Sequence, residues 1–293
     1  MNKLFRLTLG FLLFTSLAYA DFTPPSAEHT DDANTFLLLH CNGTDASTTF
    51  TDDSSGGAGS PHTFTARNSA QLDTAQQKFG TASGLFTSAT SDYIDTPDSA
   101  DWAPGTSDFT WETWIRHNGS VVTAKIIGQY ANTDNAWYFQ AGATGFSFFH
   151  KDGGVVRINS SASYSAISAD TWYHLVWARD VAGNAWHWYI DGVEKTVSDG
   201  EGTANTTLND LGVGTLTIGA ARNAEGTYNY LNGWMDEVRY SNTLRTFAPS
   251  DTGSVMIMFV DSLNPNLIGS PAWTCKIKIM KWWKNLTWDI LYG

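Results

Sequence analysis

The chain has 293 residues, 14% of them aromatic, and a formal charge of −12, so it is long enough to bury one sizeable core. The charge is uneven: residues 21–254 hold 27 acidic against 11 basic side chains, a net −16, which repels phosphate backbones and excludes nucleic acid as an expected partner. Two cysteines, Cys41 and Cys275, exclude a small disulfide-stapled scaffold.

Residues 1–20 read as a secretory signal peptide. Lys3 and Arg6 precede an apolar run from Leu7 to Leu17, and Ala18-Tyr19-Ala20 places small residues at the cleavage positions. The expected mature chain starts at Asp21 and is exported, to the medium, the periplasm or the cell surface. The run is too short to span a bilayer, and no transmembrane span is expected elsewhere. Residues 21–34, "DFTPPSAEHTDDAN", read as a polar lead-in.

From residue 35 to about 248 the pattern is one of short strands separated by Gly, Asp, Asn and Ser. "TFLLLH", "HTFTA", "FTWETWIRH", "VVTAKIIGQY", "AWYFQAG", "GFSFFH", "TWYHLVWAR", "AWHWYID" and "TLTIGA" all fit, and no useful helical run interrupts them. This spacing predicts an all-β, two-sheet sandwich in a single domain. Cys41 follows Leu37 and Leu39 on one strand face. Export allows a Cys41–Cys275 bridge, and a buried free thiol is equally natural there; both readings stand.

The clearest hairpin is residues 171–195, with a turn at "AGN" and a second at Asp191-Gly192, where positive φ is needed and tolerated. Trp186, Trp188 and Ile190 alternate as a core-facing set, and Trp111 and Trp114 fall on opposite faces of their strand. Aromatics in or beside loops are the better ligand candidates. These are Trp102 in "SADWAPG", Tyr130 and Trp137 around "YANTDNAW", and Tyr228 and Tyr230 in "AEGTYNY".

The stretch "LNGWMDEVRYSNTL", residues 231–244, predicts a strand with an anomaly. Simple alternation sets Asp236 on the apolar face of Val238 and Tyr240, where a carboxylate needs donors, a cation or solvent. Residues 249–293 form a basic, aromatic tail. Ile279, Trp282, Trp283, Leu286 and Ile290 fall at helical spacing with lysines between them. Residues 276–291 therefore offer an amphipathic helix for a membrane surface, against the alternatives of packing on the sandwich or staying disordered.

"KFGTASGLFTSATSDYIDTPDSADWAPGTSDFTWETWIRH", the hairpin above, and "LTIGAARNAEGTYNYLNGWMDEVRYSNTLR" follow one another in an order that resembles laminin-G-like (concanavalin A-like) jelly-roll domains. The resemblance implies two antiparallel sheets packed face to face, with the first and last strands adjacent. It also implies glycan or protein recognition, or a spacer role, without specifying which. Asp45, Asp52 and Asp53 sit in a Gly-rich loop after the first strand, and hard oxygen donors there suit Ca²⁺. Were the terminal strands adjacent, Asp236 would join Asp45 and Asp53 in an oxygen cage. Asn42 of "HCNG", a neutral and poorer ligand, stands where related domains often carry Asp. The alternative is that Asp236 accepts backbone N–H groups.

Catalytic patterns are lacking. There is no E-x-D-x-E strand as in sandwich glucanases, no G-x-S-x-G and no H-E-x-x-H. The expectation is a secreted, non-catalytic recognition or adhesion module, with a glycan as the first-choice ligand, an extracellular protein as the other partner class, and Ca²⁺ as a structural or bridging ion. A structural spacer without a small ligand is the alternative, and a glycoside hydrolase-like enzyme is a more remote one.

Overall fold

The computed structural model describes residues 21–212, 214–222 and 228–245, together with the backbone of the strands Ile257–Val260, Ile277–Lys281 and Asp289–Leu291. The signal-peptide reading and Cys275 lie outside the described residues. Cys41 is a buried free thiol. No helix among the described residues is long and apolar enough to cross a membrane.

Two antiparallel sheets form the sandwich. One is ordered Val193–Lys195, Ala185–Ile190, Trp172–Asp180, Phe109–His117, Gly233–Ser241, Ser83–Phe86, Gln71–Asp73. The first strand, Thr35–Leu39, takes over from Ser83–Phe86 along the closing strand Gly233–Ser241, pairing Leu39 with Val238 where Phe86 pairs with Gly233. The terminal strands are therefore neighbours. The second sheet runs Val197–Asp199, Val155–Ser163, Gly145–Asp152, Asn135–Ala141, Ala124–Asn132, Thr215–Ile218, Tyr93–Thr96, Thr65–Arg67.

Period-two alternation sends one face of each strand into a core rich in rings. Trp111, Trp177, Trp186, Trp188 and Tyr240 enter from the first sheet, and Trp137, Phe139, Phe146 and Phe148 from the second. Trp111 stacks on Tyr240 at 4.5 Å between centroids and Phe139 on Phe148 at 4.6 Å, offset contacts that add to plain burial. Trp114 points away from this core and packs beside His174 and Phe79.

The closing strand resolves the Asp236 anomaly. Its pairing with Phe109–His117 slips by one residue between Asp236 and Arg239, and Glu237 has φ +52°. This β-bulge breaks the alternation, so Met235, not Asp236, joins Val238 and Tyr240 in the core. Asp236 is buried without being apolar: its carboxylate accepts the N–H groups of Lys78 at 2.7 Å, Phe79 at 3.1 Å and Glu237 at 2.9 Å.

The tail corrects the helical reading where it is described. Ile277–Lys281 pairs with both Ile257–Val260 and Asp289–Leu291 in a three-stranded antiparallel sheet. "IKIMK" satisfies a two-residue period as well as a helical one, and so short a window does not separate them. Residues 282–288 lie outside the described residues.

The lead-in is an integral strap and not a free linker. Phe22 and His29 are buried, the Phe22 N–H donates to the Gly192 carbonyl at 2.8 Å, and the Phe22 ring packs on Tyr189 at 5.0 Å. The Asp191-Gly192 turn, φ +46° and +75°, suits a two-residue hairpin, and it also exposes the edge on which the strap docks. A Cβ on Gly192 would lie 1.8 Å from the Phe22 carbonyl oxygen. Gly192→Ala is therefore expected to release the strap and to cost at least about 1 kcal/mol. Limited proteolysis would show earlier cleavage near Phe22 together with a lower melting temperature; an unchanged digest would refute the docking.

Candidate functional site

The outer face of the second sheet carries a polar cleft of about 180 Å³ lined by Tyr93, Asp95, Tyr130, Thr215, Thr217, Arg222 and Tyr228. Alternation builds it. Ile94, Leu216 and Ile218 enter the core, so Tyr93, Asp95, Thr215 and Thr217 must face out on adjacent strands. Thr217 lies opposite both Asp95 and Gly128, and Thr215 opposite Tyr130. The hairpin formed by Ala220–Arg222 and Tyr228–Tyr230 completes the cleft, with Arg222 paired to Tyr228. Gly128 makes room for it: a Cβ there would lie 2.8 Å from that of Ala221.

The rings are ordered. Tyr93 stacks on Tyr228 at 5.3 Å and Tyr228 on Tyr230 at 5.3 Å. The Arg222 guanidinium lies 4.5 Å from the Tyr228 centroid and 5.2 Å from that of Tyr130, within cation–π reach of both. Its Nε is buried and makes no hydrogen bond. Asp95 is held by Arg67 at 2.9–3.0 Å. Burial, followed by the Tyr93 hydrogen bond, pushes the Tyr228 phenol up to about 12, so it stays a neutral donor. At about 180 Å³ the cleft has room for several waters or a small polar ligand. Tyrosine faces with hydroxyl, guanidinium and carboxylate groups between them suit a polyol ligand.

Of the aromatic candidates read from the sequence, Tyr130 and Tyr228 line this cleft and Tyr230 stacks behind Tyr228. Trp102 and Trp137 do not belong to it. They are only 3% and 4% exposed and lie in the core, with Trp137 Nε1 donating to Gln129 Oε1 at 3.0 Å. Position near a loop did not predict exposure because the sandwich closes over both indoles. Tyr93, Asp95, Thr215, Thr217 and Arg222 were missed. Their signal was the alternation itself, since each neighbours a core aliphatic or small residue in its strand.

The oxygen cage expected from Asp45, Asp53 and Asp236 is not assembled. No group of three ligating side chains within 4.8 Å among the described residues contains any of them. Asp45 is exposed and accepts the Thr74 N–H at 3.2 Å; Asp53 is exposed; Asp236 is used by the three backbone groups described above. Its carboxyl is pushed up to about 7, because burial outweighs those hydrogen bonds.

A second polar concentration lies under the strap. Glu112, fully buried, receives Arg239 Nε and Nη2 on Oε1 at 2.8 and 2.5 Å, while its Oε2 faces His174 Nε2 at 3.2 Å and His29 Nε2 at 3.5 Å. Burial opposes ionisation of Glu112; the Arg239 guanidinium and the hydrogen bond with His174 outweigh it and hold the carboxyl below its usual range. Burial keeps His29 neutral, its pKa lowered to about 3, so Arg239 supplies the balancing charge. Beside this group Glu237 accepts the His29 N–H at 2.6 Å and contacts His40 Nδ1 at 2.8 Å. Neither Glu112 nor Glu237 lines the tyrosine cleft.

A family model described as the concanavalin A-like lectin/glucanases superfamily matches residues 88–248. Among solved structures, the binding domain of botulinum neurotoxin DC in complex with rat synaptotagmin II is similar at 12% identity and a TM-score of 0.49, over 72% of this chain and 49% of that one. A botulinum neurotoxin type C structure, described in connection with cell entry through two ganglioside molecules, is similar at 13% identity and a TM-score of 0.49, with the same coverage. The chain thus spans about half the length of these structures. Among curated proteins none matches the sequence.

Proposed function

The chain belongs to the concanavalin A-like lectin/glucanases superfamily, and we propose that it is an exported, non-catalytic recognition module that takes a glycan in the tyrosine cleft. The observation that carries this reading is the cleft itself. Three stacked tyrosines and a guanidinium held between two rings stand beside the Thr215 and Thr217 side chains on the outer face of a sheet. Sugar C–H faces stack on such rings, and ring hydroxyls pair with the polar rim. The acidic body argues against a nucleic acid ligand.

The test is glycan-array binding by the purified chain, followed by titration of the best ligand. Tyr228→Ala and Arg222→Ala are each expected to weaken binding at least about tenfold, the equivalent of about 1.4 kcal/mol, with melting temperature little changed. Full affinity in both variants would remove the cleft from consideration. Repeating the array in EDTA, and again with Ca²⁺ added back, examines whether recognition depends on calcium. Silence on every glycan would favour the spacer reading.

A further inference from the structure

We propose that His29, Glu112 and His174 form a divalent transition-metal site, suited first to Zn²⁺, that fastens the N-terminal strap to the first sheet. Glu112 lies opposite Val176 and His174 opposite Trp114 on adjacent antiparallel strands. Glu112 and His174 are thus diagonal neighbours on one face, where side chains meet. The strap brings His29 onto the same spot from a distant part of the chain.

Three features point to a cation. First, His29 Nε2, Glu112 Oε2 and His174 Nε2 all lie within 4.8 Å of one another, and the two separations to Oε2 are 3.5 and 3.2 Å. Ligands bound at about 2.0–2.1 Å around a tetrahedral zinc stand about 3.3 Å apart. Second, His29 is 7% exposed, and its Nε2, aimed at the carboxylate, has no hydrogen-bond partner, a costly arrangement unless something bridges the two. Third, two imidazoles and one carboxylate are a donor set that zinc accepts, leaving one coordination position free. Arg239 occupies only Oε1 and leaves Oε2 available. The Glu237 carboxylate, on the His29 N–H, adds a second negative charge beside the group.

The test uses the full mature chain, stripped with EDTA, refolded with or without Zn²⁺ and desalted. About one zinc per chain is expected by elemental analysis. The melting temperature should rise by about 5–10 °C at a hundredfold excess over Kd, and proteolysis near Phe22 should slow. Co²⁺ in place of zinc should give the visible absorption of a four-coordinate site. His29→Gln and His174→Gln should each abolish these effects, while His187→Gln should retain them. No retained zinc and no cobalt spectrum in the unmutated chain would overturn the proposal, whatever the folding of the variants. Metal retained in His29→Gln but lost in His40→Gln would also overturn it, placing the ion on Glu28, His40 and Glu237 instead.

Discussion

Arg239→Met is expected to destabilise the sandwich by about 3–5 kcal/mol, the usual cost of leaving one member of a buried ion pair alone. Glu112 has no measurable exposure, and Arg239 donates two hydrogen bonds to its Oε1. With His29 held neutral by burial, the guanidinium is the balancing charge that the variant loses. The Thr30 carbonyl, which accepts from Arg239 Nη1 at 3.3 Å, would lose its donor as well. The double variant Glu112→Met/Arg239→Met should recover most of the loss, because an apolar pair of similar volume needs no charge balance. Urea unfolding followed by tryptophan fluorescence in EDTA measures both. A single variant within about 1 kcal/mol of the parent would mean that water reaches the network and the burial argument fails.

Stability should also fall on mild acidification. Burial lowers His29 to about 3 and His117 and His150 to about 4 from an ordinary 6.5. Below pH 6.5 the unfolded chain therefore takes up protons that the folded chain refuses. Their combined contribution is present above pH 6.5 and is lost as pH falls toward 4. By pH 5 each costs about 2 kcal/mol. Asp236 works in the opposite direction. Its folded pKa, raised to about 7 from 3.8, makes the folded chain bind a proton more readily across that window, returning about 2 kcal/mol between pH 7 and 5. The His40 pKa, raised by its hydrogen bond to Glu237, acts with the same sign as Asp236. The histidines win, and a net loss of about 3 kcal/mol from pH 7 to pH 5 is expected. In Asp236→Asn the opposing gain vanishes, so the pH dependence should steepen to about 5 kcal/mol over the same interval. Urea titrations at pH 7, 6 and 5 in EDTA would decide: equal stability across the three would disprove the assignment of neutral buried histidines.

Much of the architecture was legible in the residues. Alternation in "AWHWYI" placed Trp186, Trp188 and Ile190 in the core, and Asp191-Gly192 marked its turn through the positive φ it requires. The odd carboxylate at Asp236 announced an irregularity in the closing strand. The sequence alone did not reveal its form, since alternation carries no mark of where one extra residue enters a ladder. The structure puts the bulge there and so returns Met235 to the core.

Which side chains meet was a different matter. Alternation is a property of the local backbone and can be read from a few consecutive residues, whereas partnership depends on strand order, which long-range pairing decides. Tyr130 and Tyr228 were identifiable as candidates, but only the placement of Thr215–Ile218 between Ala124–Asn132 and Tyr93–Thr96 joins them to Tyr93 and Arg222. His29 sits in a Pro-containing segment with no periodicity, so nothing local distinguishes it from a linker residue. It becomes part of a buried cluster because Gly192 lets the strap dock and the bulge turns the Glu237 carboxylate toward its N–H. Local chemistry determined the strands, the turns and most of the core. Tertiary pairing decided the cleft and the histidine–glutamate cluster, because each draws its residues from segments that only the assembled sheets bring within reach.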